Sequence, residues 1–575
     1  MVIVRSARQL AITLAAAALL PCLAHQREAQ EKAAKSAASS QNGSTVIVPS
    51  LKGLVFVANA GDLQPHGVDA NGIVINGIPM LDHSSFRERV ASYLGKPLTF
   101  DDLHKITRAV VVYYNAHHHP LVDAVAPEQD VQNGVVQVIV TEFRVGSVRT
   151  KGNRWFSNGT LTGPMNFHYG DTIDTSKVLS DLDAVNANPF RRVNLVYQPA
   201  SEPGYTDLVL ETQDRLPLRF FTGFDNSGTA ATGHTRLNAG ATWGNAFGLD
   251  QQLTYQFSSS SDLYLGSSRS PGAPGGPLFV GHSLNWVMPL PFGDSVSVFG
   301  DYERTVPDIG PDFGLVGLNG QASIRYMRML PRTATFVESL QAGYDFKTTN
   351  NDLDFGGVAV SGNSLEIDQF PVSYLANLTD PWGVNSSSTT AVYSPGSLTS
   401  GNKPAEFQAA GAGYGFPSQR YLYVRQDFSR LTRLPFGAVW SVRALAQISN
   451  ANLLYTEQLV AGGPDLLRGY QTNSILGDQG VIVSNELRAP SLRKAFDQHI
   501  GQLQFLGFWD YGSLHAHKAI EGYANDVNAS SMGVGMRYNL RTNVTAKVDY
   551  GWQLQPLPGI PGGGHMANIG LVLGN

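Results

Sequence analysis

The sequence of 575 residues has little cysteine, little charge and no long apolar run after its N-terminal segment. Its one cysteine, Cys22, has no partner in the chain, so the fold cannot depend on a disulfide or on a cysteine-cluster metal site. Charged residues make up 15 % of the chain, against roughly 25 % in soluble domains, which indicates that much of the surface does not face water. No later apolar run approaches the roughly eighteen residues of a spanning helix, which excludes helical membrane spans.

The same composition argues against two functional classes. The net charge of −5 is small for this length and gives no electrostatic case for binding nucleic acid. A phosphate-binding glycine signature, a G-x-S-x-G turn and a cysteine nucleophile are all missing from the sequence. We therefore expect no enzyme activity, no catalytic residue, no cofactor and no bound metal.

The N-terminus has the pattern of a secretory signal. Two arginines precede an apolar segment at 10–20, and a small-x-small site follows at 22–24. We expect a signal peptide at 1–24; the alternative is a lipoprotein signal that uses Cys22, which the preceding proline makes a poorer fit. Residues 25–50 are polar and alanine-rich and predict a short helix followed by a linker.

Two mixed α/β modules, 51–142 and 143–213, are predicted next. In the first, strands are expected at 54–57 and 134–140, and helices at 85–90 and from a cap at Thr99 onward. In the second, strands are expected at 145–148, 193–197 and 206–211, and a helix at 175–185 after a cap at Asp174. The similar order predicts a tandem repeat.

Residues 214–575 predict a transmembrane β-barrel of about sixteen antiparallel strands. Segments of about ten residues alternate apolar and polar side chains between turn residues, most clearly at 236–243, 531–540 and 544–553. Alternation alone also fits a soluble sandwich. The membrane is favoured because the polar faces carry Arg, Lys and Asp at mid-strand, the apolar faces end in Trp and Tyr, and no helical pattern interrupts the array.

Four motifs follow one another along the chain: 127–130 (PEQD) before 134–138 (GVVQV), 224–228 (FDNSG) before Thr232, Gly233 and Arg236, 462–470 (GGPDLLRGY), and 508–512 (FWDYG). The third lies between strands predicted at 439–448 and 481–487, and the fourth lies one strand later. In this order the motifs resemble those of the two-partner secretion transporters, the TpsB or haemolysin secretion/activation type. The resemblance covers about 50–575, and it implies two polypeptide-transport-associated (POTRA) modules followed by a sixteen-strand barrel.

The resemblance also implies a functional site. The loop with Arg468, Gly469 and Tyr470 is expected to fold into the barrel, where Arg468 meets Asp510. Strand parity independently places Asp510 toward the lumen and Trp509 toward lipid, since a lipid-facing carboxylate is costly. The supporting motif residues are Gly462, Gly463, Phe508, Gly512 and Glu486. The alternative is an exposed loop with a solvated arginine and an aspartate that merely wets the lumen.

Three consecutive histidines, His117, His118 and His119, suggest a metal site, because imidazole is a common ligand. They are adjacent in a turn before Pro120, so their side chains are expected to diverge, without a carboxylate cluster beside them. A solvated loop is therefore the favoured interpretation, and a metal site is the alternative.

The resemblance implies export of one large secreted partner protein, of haemolysin or adhesin type, across the outer membrane of a Gram-negative bacterium. The modules, in the periplasm, would capture the unfolded N-terminal region of this partner by adding a strand to a sheet edge. The loop and the N-terminal helix would obstruct the pore at rest. Outer-membrane lipid and periplasmic chaperones are further expected partners, and a monomer is expected. An assembly factor of the same superfamily, which inserts other proteins into the membrane, is the main alternative, followed by a passive porin.

Overall fold

The computed structural model describes residues 43–229, 231–266, 275–290, 293–308, 313–333, 335–355, 358–361, 364–410, 417–492, 501–519, 525–541, 543–557 and 564–575. The predicted signal peptide with Cys22 and the predicted polar helix lie outside these residues. Two compact units meet in the sequence at Leu216 and Pro217. Within the described ranges no helix is both long enough and apolar enough to cross a membrane.

From residue 43 onward, the described part of the N-terminal unit contains nine strands and four helices: β1 (Val46–Val48), β2 (Gly53–Val57), β3 (Gly72–Asn76), α1 (Ser84–Ala91), β4 (Leu98–Thr99), α2 (Phe100–Ala116), β5 (Val122–Val125), β6 (Val135–Glu142), β7 (Arg144–Lys151), α3 (Asn158–Thr162), α4 (Thr175–Asn186), β8 (Arg191–Pro199) and β9 (Tyr205–Asp214). A short 3₁₀ turn lies at Ala60–Asp62. All the helices and strands expected in the two modules are present. Strands β1, β3, β4 and β5 and helix α3 were not located from the sequence; β3, for example, follows a glycine- and proline-punctuated stretch with no clear period.

The two modules share one topology. In the first, β2 pairs parallel to β6 and β6 pairs antiparallel to β5, with β3 added at the edge. In the second, β7 pairs parallel to β9 and β9 pairs antiparallel to β8. The strand-helix-helix-strand-strand order therefore gives the same sheet twice, as the repeat predicted.

Local capping explains where the long helices begin. At α2, the Thr99 hydroxyl accepts the backbone N–H of Asp102 at 3.2 Å and donates to its carboxylate at 2.8 Å. At α4, the Asp174 carboxylate accepts the N–H groups of Ser176 and Lys177. Each cap satisfies N–H groups that have no partner within the helix. The apolar faces of α1 and α2 then pack on the first sheet, and Phe86 of α1 meets Phe56 of β2 edge to face with ring centroids 5.3 Å apart.

The C-terminal unit is a closed antiparallel barrel: β10 (Leu218–Asp225), β11 (Arg236–Ala246), β12 (Gln251–Ser260), β13 (Phe279–Pro289), β14 (Ser295–Thr305), β15 (Phe313–Met329), β16 (Phe336–Phe355), β17 (Val358–Ser361), β18 (Ser364–Asp380), β19 (Gly383–Ser394), β20 (Tyr421–Arg433), β21 (Val439–Ser449), β24 (Gln479–Arg488), β25 (Gln502–His515), β26 (Asp526–Leu540), β27 (Val544–Gln553) and β28 (His565–Gly574). Strands β22 (Leu459–Ala461) and β23 (Ile475–Gly477) form a separate two-stranded ribbon in the loop after β21. Because β16 also pairs directly with β18, the four-residue β17 is an addition, and sixteen strands complete the wall.

Two short helices interrupt the predicted all-strand array, α5 (Asp262–Leu265) and α6 (Pro404–Ala410). The prediction that no helix occurs after residue 214 was therefore wrong. Both helices lie in loops, and α6 forms because Phe407 packs against residues of β18 and β20 in a small apolar cluster. The wall itself closes where β10 pairs with β28, from Phe221 opposite Gly574 to Asp225 opposite Gly570.

Strand parity divides the barrel wall as the sequence predicts. On β25 the exposed fraction of Trp509 is 47 %, whereas Asp510 beside it is fully buried. On β26 and β27 the large exposed residues are Met532, Val534 and Trp552. Apolar side chains therefore cover the outside, and the polar set lines the lumen.

Candidate functional site in the barrel lumen

The loop between β21 and β24, residues 450–478, turns into the barrel, and we call it the pore loop. Its stalk is the β22–β23 ribbon, in which Leu459 lies opposite Gly477. The tip, residues 462–474, follows the stalk and carries the GGPDLLRGY motif. Leu467 and Tyr470 of the tip are fully buried, which places the tip against the inner wall.

The contact between Arg468 and Asp510 is the centre of this arrangement. The backbone N–H and Nε of Arg468 donate to Oδ2 of Asp510 at 3.0 and 2.8 Å, and Nη2 donates to Oδ1 at 2.8 Å. The exposed fraction of Arg468 is only 2 %. A planar guanidinium that meets both carboxylate oxygens fixes orientation as well as charge.

Strand β24 completes the surroundings of the guanidinium. Nη2 donates to Oγ of Ser484 at 2.9 Å, and Oγ of Ser484 in turn donates to the Asp510 carboxylate at 2.6 Å. Nη1 donates to Oε1 of Glu486 at 2.5 Å. The plane of the guanidinium lies over the ring of Phe508, with Cζ 3.7 Å from the ring centroid, which adds a cation–π contact.

Charges in this part of the lumen balance. Three carboxylates and three guanidiniums form a connected set: Asp510, Glu486, Asp549, Arg468, Arg488 and Arg537. Two of the wall ion pairs are close, Arg488 with Glu486 at 2.6 Å and Arg537 with Asp549 at 2.7 Å. Removing one member of a buried set of this kind leaves an uncompensated charge, which costs about 3–5 kcal/mol.

Gly469 and Tyr470 fix the tip on the other side of the arginine. The backbone of Gly469 has φ of +96°, and its carbonyl accepts the side-chain amide of Gln553 at 2.7 Å. A Cβ at this position would lie 3.2 Å from the backbone of Gly551, so a glycine fits the close approach of tip and wall. The Tyr470 hydroxyl donates to the carbonyl of Gln555 at 2.6 Å and accepts the N–H of Ser530 at 3.1 Å.

The remaining motif glycines have different roles. Gly462 has φ of +99°, and a Cβ there would lie 2.1 Å from the carbonyl of Gln471, so it is required for the turn into the tip. Gly463 has φ of +101°, and its N–H donates to the carbonyl of Tyr470 across the tip. Gly512 faces Leu467 with room for ordinary van der Waals contact, so this structure gives no steric reason for glycine there.

All nine predicted site residues thus lie in or beside one buried cluster. Three wall residues that contact it were not singled out from the sequence: Asp549, Arg537 and Gln553. Alternation already placed Asp549 and Arg537 on the lumen face. Alternation shows on which face of a strand a side chain lies, but it does not give the strand register, which determines where along the barrel axis each side chain meets the tip.

The histidine triplet fits the predicted solvated turn at His117 and His118, which are exposed, but not at His119. His119 is not solvated; its Nδ1 lies 2.7 Å from Oε1 of Glu142 at the end of β6, and both side chains are largely buried. His117 packs on the ring of Tyr113 with centroids 4.2 Å apart. The turn at His118, with φ of +69°, swings the chain back toward β6, and this long-range approach cannot be seen in the sequence. No group of three metal-ligating side chains is found in the described ranges.

Comparison with known proteins places the chain in a family. The profile of the haemolysin secretion/activation proteins ShlB/FhaC/HecB matches residues 204–538, and that of the ShlB-type POTRA domain matches residues 68–142. Among curated relatives, the outer membrane transporter CdiB of Dickeya dadantii is 22 % identical over 81 % of this chain and 79 % of its own length. The heme/hemopexin transporter protein HuxB of Haemophilus influenzae is 21 % identical over 77 % of this chain and 76 % of its own length.

A solved structure supports the fold. That of CdiB from Escherichia coli superposes with a TM-score of 0.71 and 19 % identity, over 94 % of this chain and 92 % of the other. The matched profile covers more than half of the sequence, including the pore loop and the strand of Asp510. The chain belongs to the haemolysin secretion/activation family of two-partner secretion transporters, and it is an outer-membrane β-barrel with POTRA modules on the periplasmic side.

Proposed function

We propose that the chain exports a large secreted partner through the barrel lumen and that the pore loop is the element that moves. One observation carries this proposal: the loop that connects β21 and β24 lies inside the barrel, where buried charges centred on Arg468 and Asp510 hold it. A buried ion pair is weak evidence for stability and is better explained as a means of specifying one position. Arg468 and Asp510 then define the resting position of the loop.

The polar lumen suits an unfolded polypeptide. An extended chain presents unpaired N–H and C=O groups along its whole length, and these need polar partners away from water. The inner wall provides hydroxyls, amides and charges, among them Ser323, Asp345, Gln369 and Ser373. No nucleotide-binding signature accompanies the barrel, so folding of the partner outside the cell is the proposed source of direction.

Capture of the partner is assigned to the edges of the module sheets. In the second module β8 pairs with β9 alone among the strands described, so its other edge faces away from the sheet. At the start of that edge the Asn186 amide occupies both the N–H and the carbonyl of Val193. An added strand would therefore pair beyond Val193, toward Pro199, where backbone groups provide affinity and side chains provide selectivity.

The direct test is export of the co-produced partner after Arg468→Ala. Without the guanidinium the three carboxylates lose their shared cation, and the resting position of the tip is no longer defined. We expect export to fall by about ten-fold or more, as judged by partner protein in the culture medium, while the barrel still migrates as a folded species without heating. Arg443→Ala is the matched control, because Arg443 pairs with Asp427 within the wall and, among the described residues, makes no ion pair or hydrogen bond to the loop. Unchanged export in the Arg468 variant would remove the loop from the mechanism.

An assembly factor for other outer-membrane proteins is the second candidate, since it has the same type of modules and barrel. The secretion/activation profile favours export instead. Depletion of the chain distinguishes them: an exporter leaves the abundance of other outer-membrane barrels unchanged and abolishes release of one partner, whereas an assembly factor lowers the abundance of many barrels.

A further inference from the structure

The pore loop has a second set of contacts, at its base rather than its tip. We call residues 450–458 the loop base. Glu457 in this segment is 1 % exposed, and its carboxylate accepts Nζ of Lys347 at 2.6 Å and the hydroxyl of Tyr423 at 3.1 Å. The carbonyl of Glu457 accepts the Arg425 guanidinium and the Gln447 amide, both at 3.2 Å. A buried carboxylate with a cation and a hydroxyl as partners is fully compensated.

Neighbouring base residues repeat this pattern of attachment. The hydroxyl of Tyr455 lies 2.8 Å from the hydroxyl of Thr349 on β16 and donates to Asn319 on β15 at 3.4 Å. Leu453 and Leu454 are buried in an apolar cluster with Phe407 of α6. The base is therefore fixed by charge, hydrogen bonds and apolar packing together.

Base and tip are attached to different parts of the wall. Tyr455 and Glu457 of the base contact β15, β16, β20 and β21, whereas the tip contacts β24, β25, β26 and β27. Asn452, at the start of the base, also pairs with the backbone of Lys518 in the loop after β25. Lys347 lies on the seventh wall strand and Asp549 on the fifteenth, so eight of the sixteen strand steps separate them. The loop therefore reaches across the lumen from one side to the other.

The two attachments also differ in their place along the loop. The tip combines the polar set around Arg468 with buried Leu467 and Tyr470. The base combines the Glu457–Lys347 ion pair with packed Leu453 and Leu454, and moving it would expose apolar surface as well as separate charges. The base directly follows β21, whereas the tip lies at the far end of the loop, so the base is the attachment about which the tip can swing.

We propose that Glu457 is a positioning residue for export: it holds the loop base on the wall as a fixed pivot, about which the tip leaves Asp510. This inference rests on the proposed role of the pore loop and adds a residue and a direction of movement to it. The substrate path then opens on the β24–β27 side of the lumen, while the β15–β20 side stays covered by the base and α6.

The test compares leak and export in Glu457→Gln. We expect the released base to raise ion conductance through the barrel in planar bilayers several-fold, and to lower export of the partner. Glu406→Gln, the same substitution in α6 of a neighbouring loop, is the matched control and should change neither. Tyr455→Phe removes only a hydroxyl from the base, so it should move both readouts in the same direction by less, and it serves if the Glu457 variant does not assemble.

A cross-link separates a fixed pivot from a moving base. In a variant with Lys347→Cys and Glu457→Cys, a short bifunctional thiol reagent replaces the ion pair by a covalent link. We expect the double variant to be leaky and poor in export before linking, and to regain both wild-type properties after it. Export that stays blocked after linking would overturn the pivot, and leak and export equal to those of the Glu406 control would overturn the anchor. Because Arg468→Ala is measured in the same assays, loss of the Glu457 effect alone leaves the role of the tip intact.

Discussion

The two units of the chain bury opposite kinds of side chain. In the N-terminal unit the residues removed from solvent are mostly apolar, such as Phe56, Phe86 and Val110, around a conventional core. In the barrel the wall residues with the lowest exposure include Asp510, Asp549 and Asp345, whereas Trp552 and Phe505 are about half exposed. The same alternation of apolar and polar residues therefore has opposite outcomes, because a barrel places lipid outside and water inside.

The difference also shows in how each unit compensates a buried carboxylate. Asp181 of α4 is buried and accepts the backbone N–H of Asn166 at 2.9 Å and its side-chain amide at 3.3 Å. Asp510 is buried with a guanidinium and a serine hydroxyl. The lumen carboxylate is thus compensated by a cation, whereas the carboxylate in the module is held by neutral donors.

Truncating one aromatic ring in each unit should give the largest difference in stability between the two units. Phe56→Ala removes a fully buried ring from the first module and should destabilise that module by about 3–5 kcal/mol, because a cavity remains. Phe505→Ala removes a ring from the lipid-facing side of β25, where lipid chains fill the space, so we expect a much smaller effect. Unfolding by urea in lipid vesicles measures both variants, and equal losses would contradict the assignment of Phe505 to the lipid face.

An added charge should have the opposite effect on the two units: a large loss of stability in the barrel and a small one in the N-terminal unit. Val534 lies near the middle of β26 and is 55 % exposed, so Val534→Arg should destabilise the barrel by about 2–4 kcal/mol if that surface faces the bilayer centre. Val125→Arg, on the exposed face of edge strand β5, should change stability by no more than about 0.5 kcal/mol. Folded and unfolded fractions in vesicles across a urea series measure both, and a harmless Val534 variant would place that residue in water.

The smallest expected effect is on the pH dependence of stability, and it distinguishes Asp181 from Asp510. Burial raises the pKa of Asp181, so the folded module binds this proton more tightly than the unfolded chain does. The resulting stabilisation is present below the unfolded pKa of about 3.9 and is lost as pH rises through the folded pKa. Asp181→Asn should therefore stabilise the second module slightly at pH 7, and the gain should vanish near pH 4.

Hydrogen exchange of the α4 and β8 amides measures this difference within the intact chain. Asp174→Asn is the control, because Asp174 is the partly exposed helix cap and its substitution should show no gain at neutral pH. A gain in the Asp181 variant that persisted unchanged at low pH would rule out titration as its cause.

Local patterns explain what could be predicted from the sequence. The cap at Thr99 depends on residues three apart, and the inward orientation of Asp510 depends only on strand parity, so both are visible in one dimension. The meeting of Glu457 with Lys347, and of His119 with Glu142, depends on how distant segments return to one another, which a local pattern does not contain. Arg468 is an intermediate case: its partner came from resemblance to a family, and the loop that carries it has no periodic pattern of its own.

The central claim is that Arg468 and Asp510 act as one unit that holds the pore loop in the lumen. A double-mutant cycle in planar bilayers tests it most directly, by comparing the open probability of the pore in the wild type, Arg468→Ala, Asp510→Ala and the double variant. If the two residues form one contact, each single variant opens the pore, and the double variant is no more open than either. Two independent increases that add in the double variant would contradict the account.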